Sequence, residues 1–444
     1  MKKLLFLSIP IIFTMLLMAC NSGGSSASES NSGDKGDGPE EITLRFMTNL
    51  PDRSTGRGKV EQDILDAFME ENPNITVRVE ALQDEPYKDQ IMIYASTDNL
   101  PDVLNTWGQP SFIDPLINND LLLALNEEDY EDYGFAPGST DGWIEDGKLF
   151  GLPKYTDMFV LYYNNRLFEE NNIAVPTTQS DLLEAVKAFR ELRINPVSIN
   201  GMDGWSLPIW FEYVVQRETG DFGTMNDALA RNTSFDSPEF LKAAERMKEL
   251  VEAGMFQDGF LTADYGTARN LFGQEQAAMY LMGSWEMGLA TDENFPESFR
   301  ENLGVIPYPA SDNGLASHND FAAWSGSGFS VSANTEHPEE AVKLLNFLFK
   351  PENWAKTIWQ SGNGVPSQQF DEFFTGEETD FQLKFTDLFN QIESASGTPV
   401  LDNSTAEFKE RIMNIHQSLL SGQITPEDFV KQIDEAAERA SDSQ

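Results

Sequence analysis

Residues 270–285, NLFGQEQAAMYLMGSW, constrain the chain most, because the hydrophobic period changes there from helical to extended across one short turn. Ala268, Leu271 and Phe272 recur at helical intervals, whereas Ala277, Met279 and Leu281 alternate as on a strand with one buried face. Residues 273–276 supply the turn. Gly283 can adopt backbone angles closed to other residues, and Ser284 is a helix-capping type. The strand is therefore expected to end with Trp285 projecting over its edge, with a helix following. Open α/β sheets take their ligands beyond such strand ends. On spacing alone, the same residues also describe a helix-strand-helix unit whose Trp is simply buried.

The rest of the chain repeats this alternation. Ile42, Leu44 and Phe46 alternate as a strand, a helical pattern runs from Lys59 through Phe68 and stops before Pro73, and Ile75, Val77 and Val79 make the next strand. A strand, crossover helix and strand in that order imply a parallel sheet. A second helix over 87–94 leads through Pro101 into a strand ending near Trp107. The loops after these strands, carrying Asn49, Glu80, Trp107 and Gln109, fall on one edge. Thr178 and Asp181 form a capping box for a helix whose apolar stripe is Leu182, Ala185, Val186 and Phe189. No internal repeat is visible.

Residues Phe272, Ala278, Met279, Gly283 and Trp285 together resemble the signature of bacterial extracellular solute-binding proteins of the sugar (maltose-type) ABC-importer class. Glu275 stands where that family has a Gly, so the turn is expected to be remodelled with Gly273 as substitute. The run 147–167, GKLFGLPKYTDMFVLYYNNRL, resembles the family's first interlobe crossover, with Asp157 in its middle. Gly304-Val-Ile-Pro-Tyr-Pro resembles the return crossover and residues 326–331 the third. The resemblance implies an α/β, periplasmic-binding-protein-like fold: two α/β lobes joined by three hinge crossovers, with the ligand between them. It divides the chain into 41–156 with 306–328 as the N-terminal lobe, and 157–305 with 329–444 as the C-terminal lobe.

Lys2 and Lys3 precede an apolar run from Leu4 to Ala19, broken by Ser8, Pro10 and Thr14, and then Leu-Met-Ala-Cys at 17–20. The run is shorter than the roughly 20 residues of a spanning helix, so residues 1–20 read as a cleaved secretion signal. Its ending resembles a lipobox, which implies that Cys20 becomes a lipid-bearing mature N-terminus on the extracellular face of the cell membrane. Cys20 is the chain's single cysteine, so disulfides and thiolate chemistry within the folded body are excluded. Residues 21–40, rich in Gly, Ser and Asp, read as a flexible tether.

At 444 residues the chain is long enough for two lobes with large cores. The formal net charge of −43 repels nucleic acid and anionic membrane surfaces; it reads first as a solvated surface suited to a salty or alkaline medium, and secondarily as an attraction for cationic ligands. There is no phosphate-binding loop, nucleophile elbow or dinucleotide fingerprint, and His318, His337 and His416 lack metal-ligand spacing. Nothing calls for a cofactor or metal.

Aromatic and amide-bearing residues remain. Sugars offer flat C–H faces to indole rings and hydroxyls to carboxylates and amides. Trp143, Trp354 and Trp359 sit in helical or hairpin contexts and are expected in cores. Trp107, Trp205, Trp210, Trp285 and Trp324 lie in or beside Gly-, Pro- or Ser-rich loops and are candidates for stacking or for packing. Trp285 matches the family's ligand aromatic. Asn49, Glu80, Gln109 and Asp157 are candidate polar contacts, or ordinary polar residues at strand ends. The expected activity is capture of a carbohydrate by a monomeric receptor and delivery to an ABC permease. A glycoside-active enzyme and a polyamine or peptide receptor stay open as alternatives, because carboxylate separations cannot be read from 73 acidic residues.

Overall fold

The computed structural model describes residues 41–442. The expected signal segment, Cys20 and the expected tether lie outside the described residues. Strand Ile42–Thr48, helix Gly56–Glu71 and strand Ile75–Ala81 form the expected unit, with Ile42 opposite Ile75 in parallel register. Helix Asp84–Ser96 then returns the chain to strand Val103–Trp107, parallel on the other side of the first strand. Strands Ser327–Val331 and Leu152–Pro153 complete this sheet in antiparallel sense. A second sheet orders Leu303–Ile306, Thr156–Asn164, Ala277–Gly283 and Asn195–Ser198, with Ala323–Ser325 also paired to Thr156–Asn164. Each sheet carries its own buried core, so the body consists of two α/β lobes.

The chain crosses between the sheets three times. Lys154 to Thr156 leads from the first to the second. Gly326 alone separates Ser325, paired with Thr156, from Ser327, paired with Trp107. The third passage runs from Ile358, in the first core, to Trp359 and Val365, in the second. The passages lie side by side: Gly326 N–H donates to Tyr155 O at 2.9 Å, Thr156 N–H to Val365 O at 3.2 Å, and Ser367 N–H to Lys154 O at 3.2 Å. A Cβ on Gly326 would stand 1.9 Å from Asp157 Oδ2, so any side chain there would displace that carboxylate.

This traffic corrects the expected crossovers and lobe limits. Residues 303–306 are a strand of the second sheet, and Tyr308, Phe321 and Ala323 belong to the second core. The return to the first lobe comes at Gly326. Helix Pro338–Phe349, with Leu344, Leu345 and Leu348, packs in the first core together with Trp354. A helical stripe marks a buried face without saying which core it faces; the pairing of Ser327–Val331 with Val103–Trp107 decided that.

The 270–285 stretch forms helix Tyr265–Gly273, a turn, and strand Ala277–Gly283. All seven strand residues are buried, so the alternation expected of a half-buried strand does not hold. The strand is interior, with neighbours on both edges and covered on both faces. Glu275 itself takes the left-handed conformation, with φ of 59°. Gly273 does not substitute for it: a Cβ there would meet the Phe295 ring at 2.3 Å, which is a packing demand. Arg166 Nη2 lies 2.9 Å from Glu275 Oε1 and Asn164 Nδ2 donates to the same oxygen at 3.1 Å, tying the unusual residue down. The capping box of helix Gln179–Glu191 forms as expected between Thr178 and Asp181.

Candidate functional site

Three indoles meet at the junction of the lobes. Strand Ala277–Gly283 delivers Trp285, whose ring centroid lies 5.8 Å from Trp205 and 6.1 Å from Trp324. Phe159 backs the group at 6.4 Å from Trp285. Trp285 and Trp324 are half-buried, while Trp205 is 9% exposed. Gly283 has φ of −83°, within reach of any residue, but a Cβ on it would fall 2.0 Å from the Trp285 ring. The glycine is therefore required by ring packing and not by backbone freedom. Ser284 caps no helix. Its Oγ accepts Met158 N–H at 3.1 Å and donates to Asp157 Oδ1 at 3.3 Å, pinning the end of one strand to its neighbour. Next to Trp285, the buried Glu286 carboxylate accepts Tyr265 OH and Arg269 Nε, which fixes the turn that carries the indole.

In the first lobe, Trp107 packs edge-on against Tyr87 and Phe112 and has Lys88 Nζ 5.0 Å from its ring centroid. Gln109 is buried and its Nε2 donates to Ser325 O at 3.4 Å, next to Trp324. Asn49 follows the first strand, and its Oδ1 is enclosed with no hydrogen-bond partner among the described residues. Asp157 pairs with Trp324 across the strands. Burial pushes its carboxyl above the ordinary range, opposed by the Arg57 guanidinium. Arg57 stacks 3.8 Å over the Tyr155 ring and its Nε donates to Asn363 O at 2.6 Å, joining two hinge passages.

Two of the expected site residues go elsewhere. Trp210 is fully buried inside helix Ser206–Thr219, its Nε1 donating to Tyr308 OH at 3.0 Å and its ring edge-on to Phe256. Pro208 read as a loop signal, yet it occupies the first turn of that helix, where its missing N–H costs nothing. Glu80 accepts Arg45 Nε at 3.2 Å and Tyr94 OH at 3.0 Å, outside the indole group. Arg45 is opposite Arg78, two residues before Glu80, so the pair are diagonal neighbours on one sheet face.

The sequence reading missed the residues that join the lobes. Asp84 Oδ2 accepts Trp205 Nε1 at 2.9 Å, and Ser111 Oγ donates to Asp402 Oδ1 at 2.8 Å, where Lys409 Nζ also arrives at 2.7 Å. Lys88 stands 2.5 Å from Glu85 and 3.3 Å from Asp84; burial works against its charge, but these carboxylates outweigh it and raise the ammonium above its ordinary range. Asp203 is raised to about 6 by burial, with the Asp84 and Glu85 charges adding to the effect. Asp84 opens the helix that follows the second strand, close to an edge already marked as functional; Asp402 gave no local signal. Among the described residues no His, Cys, Asp and Glu grouping could hold a metal ion. The arrangement offers flat apolar rings edged by amides, carboxylates and guanidinium.

Residues 52–353 match the family described as bacterial extracellular solute-binding protein, which is more than half of the chain. The chain belongs to that family. It is 23% identical over 356 residues to the multiple sugar-binding protein of Streptococcus mutans, covering 78% of each. A solved structure from work on xylan utilization by Caldanaerobius polysaccharolyticus superposes with a TM-score of 0.81 at 25% identity, covering 89% of this chain and 99% of that one. A chitin oligosaccharide binding protein gives 0.80 at 21%, covering 90% and 99%, a likeness of fold. This solute-binding family member has the periplasmic-binding-protein-like fold, and no helix among its described residues is long and apolar enough to cross a membrane.

Proposed function

We propose that the protein is a carbohydrate receptor that captures a mono- or oligosaccharide between its lobes and presents it to the membrane subunits of an ABC importer. The meeting of Trp205, Trp285 and Trp324 at the interlobe junction carries this reading. Indole faces suit the C–H faces of pyranose rings, Asp157 and Gln109 bring hydrogen-bonding groups beside Trp324, and Trp107 and Asn49 are the further candidates on the first lobe. The naming of a relative as a sugar-binding protein and the work on xylan utilization support the same ligand class. Capture works by differential affinity: a sugar touching both lobes stabilises the arrangement in which they meet. The receptor acts without turnover, as a monomer, tethered outside the cell by lipid on Cys20.

Thermal unfolding of the protein against a panel of oligosaccharides, monosaccharides, polyamines and peptides tests the reading. A sugar present at about 100 times its Kd raises stability by about 2.7 kcal/mol, and chromatography recovers it intact. Stabilisation by polyamines or peptides alone, or sugar cleavage with turnover, overturns it. Cys20→Ala should release the protein into the medium; retention on cells would refute the lipid tether.

A further inference from the structure

Asp84 is the first residue of helix Asp84–Ser96 and has a φ of 38°, a positive-φ backbone that Asp adopts more readily than most non-Gly residues. Its two carboxylate oxygens are both engaged. Oδ2 accepts Trp205 Nε1 from the other lobe at 2.9 Å, and Oδ1 lies 3.3 Å from Lys88 Nζ, which in turn stands over Trp107. The neighbouring Gln83 also reaches across, its Oε1 4.0 Å from the position of a Cβ on Gly266. Trp205 meanwhile packs on Trp285 and Phe159. One indole therefore offers its N–H to the opposite lobe and its ring to the aromatic group.

We propose that Asp84 is the latch residue of this receptor: it holds the lobes together through Trp205, so that contact with the aromatic group and closure of the lobes are set by the same side chain. Asp84 is a positioning residue. In its hydrogen bond the acceptor is charged and the donor is largely shielded from water, the setting in which such bonds are strongest. The link to ligand release rests on the carbohydrate reading; the link to closure does not.

Small-angle scattering of the ligand-free full chain separates the two. Asp84→Gly removes the acceptor and accepts the positive φ, and Trp205→Phe removes the donor; each should raise the radius of gyration, and the double variant should raise it no further. Asp84→Asn keeps an acceptor oxygen and tolerates the same backbone region, so it should stay as compact as the parent. In stopped-flow, a bound oligosaccharide should leave Asp84→Gly about ten-fold faster with its association rate little changed. Unchanged scattering in both Asp84→Gly and Trp205→Phe overturns the latch, as does expansion of Asp84→Asn equal to that of Asp84→Gly. Expansion without binding of any sugar leaves the latch standing and removes the carbohydrate reading.

Discussion

Single side chains in this protein are placed by shape and charge together. Trp285 owes its position to a glycine before it and an anchored carboxylate after it: Gly283 leaves room for the ring, and Glu286 is gripped by Tyr265 and Arg269. Trp285→Ala should weaken sugar binding by about 1 to 3 kcal/mol, the scale of one lost stacking ring and its burial, as read by titration calorimetry. Glu212 makes a second residue-scale case. It is buried in helix Ser206–Thr219, its Oε1 accepts Val400 N–H at 2.5 Å, and burial pushes its carboxyl from 4.5 up to about 8. Between those values the folded chain holds a proton that the unfolded chain has lost, so this group makes stability fall as pH rises from 4.5 to 8. Glu212→Gln stays neutral and keeps the acceptor. Urea unfolding should show the variant gaining on the parent towards pH 8, with the advantage gone by about pH 4.

Elements carry these residues to the junction. Strand Ala277–Gly283 is the most buried of them and ends at the indole group, while the turn that precedes it, with Glu275 at φ 59°, lies at its far end beside Arg166. The departure from the family's glycine thus concerns the turn and not the aromatic group. Gly283→Ala should be felt at both levels. With its methyl 2.0 Å from the Trp285 ring, it should cost about 1 to 3 kcal/mol of stability and also weaken sugar binding, seen by unfolding and calorimetry on the same preparation. Equal affinity with lowered stability would mean that the ring can move without consequence for the ligand. The strand and its helix were legible in the 270–285 period change, but burial on both faces was missed. The sign of it was the lack of any polar face in Ala277 to Met282, which reading only every second residue passed over.

Across the whole molecule, the lobes are separate cores joined by three adjacent passages and a few side-chain contacts. Asp84 with Trp205 and Ser111 with Asp402 are two of those contacts, both drawn from the ends of helices or short loops. The net charge of −43 acts at this scale too, since self-repulsion within the folded body exceeds that in the expanded chain. Sodium chloride near 1 M shortens the screening length to about 3 Å and should raise the melting temperature; a fall on adding salt would show that ion pairs such as Arg269 with Glu286 and Asp292 outweigh the repulsion.

Taken alone, the sequence determined the alternation of strands and helices, the capping at Thr178, the burial of Trp143, Trp354 and Trp359, and the indole at the end of the 277–283 strand. Periods, caps and turn residues are local, so they are written within a few residues of where they act. It could not assign helix Pro338–Phe349 to the first lobe, withdraw Trp210 into a core, turn Glu80 towards Arg45, or bring Asp84 to Trp205. Those outcomes depend on which strands pair and which surfaces meet, with the hydrogen-bonded side-chain partners 35 to 121 residues apart in the chain, and only the folded molecule specifies them.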